Sequence, residues 1–342
     1  MIRQIEPTKF FFWDNRKATI DVRSPGEYAQ GHIPGAYNIP LFGDAERAIV
    51  GTLYSKAGTD AAILKGLEMA LPKSASFLEY LRTVANDKHI LLHCWRGGMR
   101  SASMAELFGK AGFDVDILTG GYKAWRRFIR EELAKPAKIV VLGGATGSGK
   151  TELLHALAQK GEQVIDLEGL SCHKGSVFGA LGQKPQPTNE QFENDLFAEW
   201  NKLDVDKPVW IEDESRMIGK ITLPDPVVEK INQGLLICLD VGKAERINRL
   251  IEDYAGFDKD ALTRAVLQIR DRLGGARVNE VLAALKENRF EIVTDILLDY
   301  YDKAYRFAIQ RRKNQFCHAF RPVSSGFHDK ASEIIKFAYK FL

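Results

Sequence analysis

Two short stretches of this 342-residue chain set reactive side chains at spacings that do chemistry. The first is His93-Cys94-Trp95-Arg96-Gly97-Gly98-Met99-Arg100-Ser101. An apolar run from His89 to His93 predicts a buried strand that ends at Cys94, and Ser101 to Ala111 has a helical pattern. The thiol is therefore expected between a strand end and a helix N-terminus, in a glycine-rich loop whose amides can turn inward around an anion. That field, together with Arg96 and Arg100, is expected to favour the thiolate near neutrality. A thiolate can accept a sulfur or selenium atom as a persulfide or selenosulfide. The plainer alternative is a buried structural cysteine, which the surrounding glycines and arginines make the weaker reading. His93 reads as a packed strand-end histidine and is given no role.

The second stretch, Gly144-Ala145-Thr146-Gly147-Ser148-Gly149-Lys150-Thr151, fits G-x4-G-K-[ST]. It follows a buried strand and precedes a helix, the context this motif requires. Amides of Gly144, Gly147, Ser148 and Gly149 would wrap a diphosphate, Lys150 would add a mobile charge, and Thr151 could ligate Mg²⁺. Asp166 and Glu168 end a further strand, and His173, Lys174 and Ser176 follow on a loop suited to anion contact. Glu212 and Asp213 end another strand, and Asp213 could join Thr151 in holding Mg²⁺. No pattern for recognising the base of ATP or GTP accompanies the loop, and a diphosphate site need not be a nucleotide site.

Both loops need parallel α/β scaffolds behind them. Thr19–Val22, His89–His93 and Val115–Leu118 read as strands, and Tyr122 to about Leu133 as a helix. Lys135-Pro136-Ala137 reads as a linker, giving domains 1–134 and 138–342. The second block predicts strands at Lys138–Leu142, Val164–Asp166, Val209–Ile211 and Leu235–Leu239, a helix from about Thr151 to Gln159, and a helical chain end.

Composition is that of a globular protein, 45% hydrophobic and 27% charged. Cys94, Cys172, Cys238 and Cys317 are scattered without a C-x-x-C pair, which argues against a disulfide framework and a structural zinc and for a reducing, cytoplasmic setting. Met1 to Asp14 is not a signal peptide, and no apolar run suits a bilayer. The net charge is +3, but Lys303 to Leu342 holds nine Lys/Arg against two Asp/Glu, +7, which leaves about −4 for the rest. A basic end on a near-neutral body suggests a polyanionic partner; a solvated helical face is the bland alternative.

Resemblances join these readings. Asp21-Val22-Arg23-Ser24-Pro25-Gly26-Glu27-Tyr28 with Gly31-His32-Ile33-Pro34-Gly35-Ala36, the Cys94 loop, and Leu118-Thr119-Gly120-Gly121-Tyr122-Lys123-Ala124-Trp125 resemble, in order, the three signatures of the rhodanese domain. The resemblance implies a rhodanese-like parallel-sheet domain followed by a P-loop NTPase-like α/β domain with a helical C-terminal region. One departure matters. Five residues separate Cys94 from Arg100 where common single-domain sulfurtransferases have four, a spacing that resembles the rhodanese-like dual-specificity phosphatases. The larger cradle suits a phosphate-sized oxyanion, so either the protein is a phosphatase or its donor carries a phosphoryl group.

With Asp166-Leu167-Glu168-Gly169, Gly175-Ser176-Val177-Phe178-Gly179 and Ile211-Glu212-Asp213-Glu214-Ser215-Arg216, both domains together resemble the bacterial tRNA 2-selenouridine synthase family. That resemblance implies two steps: S-geranylation of 2-thiouridine at the tRNA wobble position by geranyl diphosphate, then displacement of the geranylthio group by selenium from selenophosphate. It implies that Cys94 is the essential cysteine, that no cofactor is tightly bound, and that the partners are tRNAs for lysine, glutamate and glutamine. The selenophosphate oxyanion would sit in the Cys94–Arg100 cradle while Cys94 takes the selenium. Where the family usually has a small residue and Asn before the histidine, this chain has Ser171-Cys172. Arg306, Arg311, Arg312 and Lys313, interleaved with aromatics such as Tyr305 and Phe307, would grip the tRNA. Three rivals stand beside this: a phosphatase, for which no leaving-group acid is evident, an ATP-dependent kinase or sulfurtransferase, and a silent tRNA-binding scaffold.

Overall fold

Continuous apolar runs become central strands of parallel sheets, because both faces of such strands are covered. The computed structural model describes residues 1–11, 17–310 and 316–342. The chain divides into two compact units, Met1–Leu133 with Glu193–Asp195, and Ala134–Phe192 with Leu196–Leu342.

The first unit holds a five-stranded sheet of β1 (Ile2–Ile5), β2 (Thr19–Asp21), β3 (Tyr37–Asn38), β4 (His89–His93) and β5 (Asp114–Leu118). Their order is β1-β5-β4-β2-β3, every pair parallel. Ile90, Leu91 and Leu92 of β4 are buried and make it the central strand. The Gly121–Ala134 helix buries Tyr122, Trp125, Ile129 and Leu133 at three/four spacing. Ser24 caps the Pro25–Gln30 helix in a capping box with Glu27. Three helices, Asp44–Lys56, Thr59–Ala70 and Ser74–Val84, fill the span before β4.

The second unit contains β6 (Ile139–Gly144), β7 (Gln163–Ile165), β8 (Val209–Glu212), a small antiparallel pair β9 (Met217–Ile218) and β10 (Ile221–Thr222), β11 (Leu235–Leu239) and β12 (Cys317–Phe320). The main sheet runs β12-β11-β6-β8-β7, again all parallel. A helical layer includes Lys259–Gln268, Gly275–Lys286 and the long Phe290–Gln310 helix, packed on a core of its own with Leu262, Val266, Val281 and Leu297. Among the described residues no helix is long and apolar enough to cross a membrane.

Two expectations change. The chain end is helical at Phe290–Gln310 and Phe327–Ala338, but Cys317–Phe320 between them is an edge strand on β11. Cys238 and Cys317, 79 residues apart, are joined in a disulfide with Cα atoms 6.0 Å apart. Parallel pairing of β11 with β12 sets Leu236 opposite Cys317 and brings together two sulfurs that look unrelated along the chain. Cys94 and Cys172 are free.

Candidate active site: a thiol loop and a phosphate loop

In the first unit β4 delivers Cys94 to a loop that glycines make possible. Gly97 and Gly121 both have positive φ, +67° and +60°. A Cβ on Gly121 would run into the Cys94 carbonyl oxygen and lie 2.5 Å from the Gly97 amide, so the turn after β5 packs backbone to backbone on the thiol loop. The amide of Tyr122 donates to the Cys94 carbonyl at 2.8 Å, and that of Lys123 to the Trp95 carbonyl at 3.0 Å. Cys94 is buried, with Sγ 3.3 Å from the Ser101 hydroxyl. Ser101 donates to the Gly98 carbonyl at 2.9 Å and stands in the first turn of the Met99–Lys110 helix.

Arg100 is half-buried and donates to both oxygens of Glu27, at 2.6 and 3.3 Å. Burial pushes the Glu27 carboxyl up, but the bonds and charge of Arg100 outweigh it and hold the group below its ordinary value. The expected cradle arginine is thus fixed at the loop by a carboxylate the sequence reading did not nominate. Arg96 is exposed at the loop surface. His93 is fully buried, and burial pushes its pKa down to about 4, so it is neutral at neutral pH. Beside it Arg23 and Asp21 form a fully buried ion pair at 2.6 Å, the guanidinium stacked 3.8 Å from the Tyr122 ring centroid.

In the second unit the phosphate loop joins β6 to the Lys150–Gln159 helix. Gly147 and Gly149 have φ of +77° and +80°. A Cβ on Gly149 would meet Arg249 and Phe327 at 2.9 Å, so the loop is backed by side chains. Arg249 donates to the Gly147 carbonyl at 2.8 Å and Arg246 to the Thr146 carbonyl at 3.2 Å; Arg246 also pairs with Asp302 at 2.7 Å. The Gly144 amide donates to the Tyr305 hydroxyl at 2.7 Å, and Lys150 Nζ donates to the Gly144 carbonyl at 3.0 Å. Ser148 is buried, and its hydroxyl has no partner among the described residues.

The Thr151 hydroxyl lies 2.7 Å from Glu212 Oε1 and 3.0 Å from Glu168 Oε2. Burial, then the charge of Glu168, pushes Glu212 up to about 8, and the same two causes take Glu214 up to about 8. Glu168 is raised mainly by burial, against the pull of Lys150. This carboxylate cluster is therefore poised to hold a proton.

A cavity of about 720 Å³ opens on this loop. Gly144, Gly147, Ser148, Gly149, Lys150 and Thr151 line one end, with Glu168, Lys174, Ser176, Asp213 and Glu214 beside them. Most of the rest is apolar, with Phe178 and, from the helical layer, Leu262, Leu285, Phe290, Val293 and Leu297, interrupted by polar groups such as Arg249, Asp253, Tyr254 and Tyr301. Of the other nominated residues, Asp166 caps the Leu167–Ser171 helix and pairs with His155 at 2.8 Å, and His173 is buried against Gly179; neither lines the cavity. Arg306 is exposed on the Phe290–Gln310 helix; Arg311, Arg312 and Lys313 lie outside the described residues. Sequence reading missed Arg246 and Arg249, which act on the phosphate loop from about 100 residues away and carry no local motif; Tyr305, expected among the tRNA-gripping aromatics, instead has its hydroxyl on the Gly144 amide. Glu214 lies in the same acidic strand-end stretch as Glu212 and Asp213, next to residues whose types carried the expectation.

Fold and site define the class: an α/β enzyme that joins a rhodanese-type thiol loop to a phosphate-loop domain. The rhodanese-like domain family matches residues 11–128, and the tRNA 2-selenouridine synthase AAA domain matches residues 137–324. The tRNA 2-selenouridine synthase of Nitrosomonas europaea is 34% identical over 87% of this chain and 90% of its own length. That of Shewanella frigidimarina is 35% identical over 86% and 89%, and that of Sulfurovum sp. is 34% identical over 88% and 91%. The chain belongs to the tRNA 2-selenouridine synthase family.

Proposed function

We propose that the protein replaces the sulfur of wobble 2-thiouridine in tRNA by selenium in two steps. Geranyl diphosphate first alkylates the sulfur, and selenophosphate then displaces the geranylthio group. The observation that carries the first step is the cavity: an anion cradle at one end and an apolar wall along the rest is the complement of a short prenyl chain on a diphosphate.

In this reading the phosphate-loop amides and Lys150 take up the charge that grows on the diphosphate as its bond to C1 breaks. The sulfur lone pair forms the new bond to C1, and the N3 proton of the uridine passes to water. Mg²⁺ bound with the diphosphate would be held by Thr151 and Asp213, hard oxygen donors that suit it, and would neutralise the leaving group. The Cys94–Arg100 loop serves the selenium step, with its amides and the helix behind them holding the donor's oxyanion. The basic C-terminal region grips the tRNA, for which a cytoplasmic setting fits.

Two variants separate the steps. Lys150→Ala is expected to cut geranylation at least 100-fold and still convert pre-geranylated tRNA with selenophosphate. Cys94→Ser is expected to stop at S-geranyl-2-thiouridine. Unimpaired geranylation by Lys150→Ala would overturn the diphosphate assignment.

A further inference from the structure

The selenium step has a constraint that its reactants impose. Selenium in selenophosphate is already at the oxidation level it has in 2-selenouridine. Moving it onto Cys94 as a selenosulfide would oxidise both selenium and sulfur, and neither the loop nor the substrates supply an oxidant. A step that keeps selenium reduced must break the P–Se bond with both electrons going to selenium.

The thiol loop fits that cleavage. Five residues lie between Cys94 and Arg100, and Ser101 follows at once. Sγ lies 3.3 Å from the Ser101 hydroxyl, at the start of the 12-residue Met99–Lys110 helix, whose N-terminal end favours anionic charge. Arg100 is held at the loop by both oxygens of Glu27. Gly97 and Gly121 press two backbone segments together beneath the loop and fix its curvature. These are the parts of a site that carries a phosphoryl group on sulfur. An alkyl phosphate would also need an acid to protonate its leaving group, and the described residues of the loop offer none, since His93 is buried behind it and neutral. Hydrogen selenide is acidic enough to leave as an anion and needs no such acid.

We propose that Cys94 attacks phosphorus rather than selenium: the thiolate displaces hydrogen selenide from selenophosphate and becomes a cysteinyl phosphate. The S–P bond forms as the P–Se bond breaks, and the electron pair leaves with selenium as HSe⁻, its proton coming from the protonated selenophosphate. HSe⁻ adds to C2 of the S-geranyl-2-thiouridine, geranylthiol departs carrying that proton, and N3 of the resulting 2-selenouridine anion takes back a proton from water. Water then cleaves the cysteinyl phosphate, releasing inorganic phosphate and the thiolate, and the Ser101 hydroxyl, 3.3 Å from Sγ, stabilises the departing sulfur by turning its proton to it from the Gly98 carbonyl. Every atom keeps its oxidation state. This rests on the assignment of Cys94 to the selenium step, and it names the atom that the thiol attacks.

The test uses the full chain, pre-geranylated tRNA and ³²P-labelled selenophosphate, quenched on the turnover timescale. The expected result is phosphorus label on the Cys94 peptide, stable to reductant, and more of it in Ser101→Ala. Selenium on that peptide, recognised by its isotope pattern and released by reductant, would overturn the proposal. So would steady selenation with neither group ever found on Cys94. A second arm adds sodium hydrogen selenide to Cys94→Ser, which should regain selenation that selenophosphate supports at least 100-fold less well than in the unsubstituted protein; no recovery would count against the proposal. Full selenation by Cys94→Ser with selenophosphate would instead remove Cys94 from the reaction altogether, and with it the reading on which this step is built.

Discussion

Glu212 and Glu214 are the residues whose behaviour is most out of the ordinary. Glu212 is fully buried and Glu214 half-buried at the cavity lining, both beside Glu168, and both are pushed up to about 8 from an ordinary value of 4.5. A carboxyl with a raised pKa keeps in the folded chain a proton that the unfolded chain has already released. Stability therefore falls as pH rises from about 4.5 through about 8. Melting temperature measured across that window should decline toward pH 8.5, and Glu214→Gln should flatten the decline. An identical slope in Glu214→Gln would show that Glu214 does not hold the proton. Inorganic diphosphate with Mg²⁺ should offset part of the loss at pH 8, because a ligand that binds only the folded chain stabilises it. This residue scale was partly legible in the sequence. Lys150 and Cys94 lie in local motifs, and each loop falls between a strand and a helix as read. The pairing of Arg100 with Glu27 spans 73 residues, and neither residue type announces its partner.

Among the elements, the turn into the Gly121–Ala134 helix controls the thiol loop. Gly121→Ala would force a Cβ against the Cys94 carbonyl and put a side chain at positive φ. A loss of about 2–4 kcal/mol is expected, together with selenation at least tenfold slower and geranylation intact at a temperature where the fold persists. The Phe290–Gln310 helix plays the matching part for the cavity. Ala304, exposed at the cavity lining, can be enlarged without disturbing the core. Ala304→Phe should raise KM for geranyl diphosphate about tenfold with melting temperature unchanged, and an unaltered KM would place the prenyl chain elsewhere.

Central strands were the most readable elements, because β4, β6 and β11 are continuous apolar runs that later proved buried. Among edge strands β7 was legible as Val164–Asp166, but two others were not. Ile2–Ile5 and Cys317–Phe320 are short and become strands only by pairing with β5 and β11. The Asp44–Lys56 and Thr59–Ala70 helices lack a strong apolar stripe, burying no large side chain and leaving Leu64 exposed, so periodicity gave little to read there; the Ser74–Val84 helix does bury Phe77 and Leu81 but was not read. The apolar wall of the cavity draws on residues from Phe178 to Leu297, and no local pattern collects them.

For the whole molecule, charge is the organising feature. The +7 balance from Lys303 onward predicts tRNA binding that weakens steeply with salt. Reversing Arg306 and Arg312 to Glu should reduce the slope of log affinity against log salt by about 0.7–0.9 for each phosphate that is no longer neutralised, with geranyl diphosphate binding unaffected. A flat salt response would remove the basic end from the interface.

The central claim, that selenium enters only through an S-geranyl intermediate, is tested most directly by mass spectrometry of wobble nucleosides. The full chain would be incubated with 2-thiouridine tRNA and geranyl diphosphate, selenophosphate, or both. Geranyl diphosphate alone should give S-geranyl-2-thiouridine, selenophosphate alone should leave 2-thiouridine unchanged, and the two together should give 2-selenouridine. Formation of 2-selenouridine from selenophosphate alone would contradict the account.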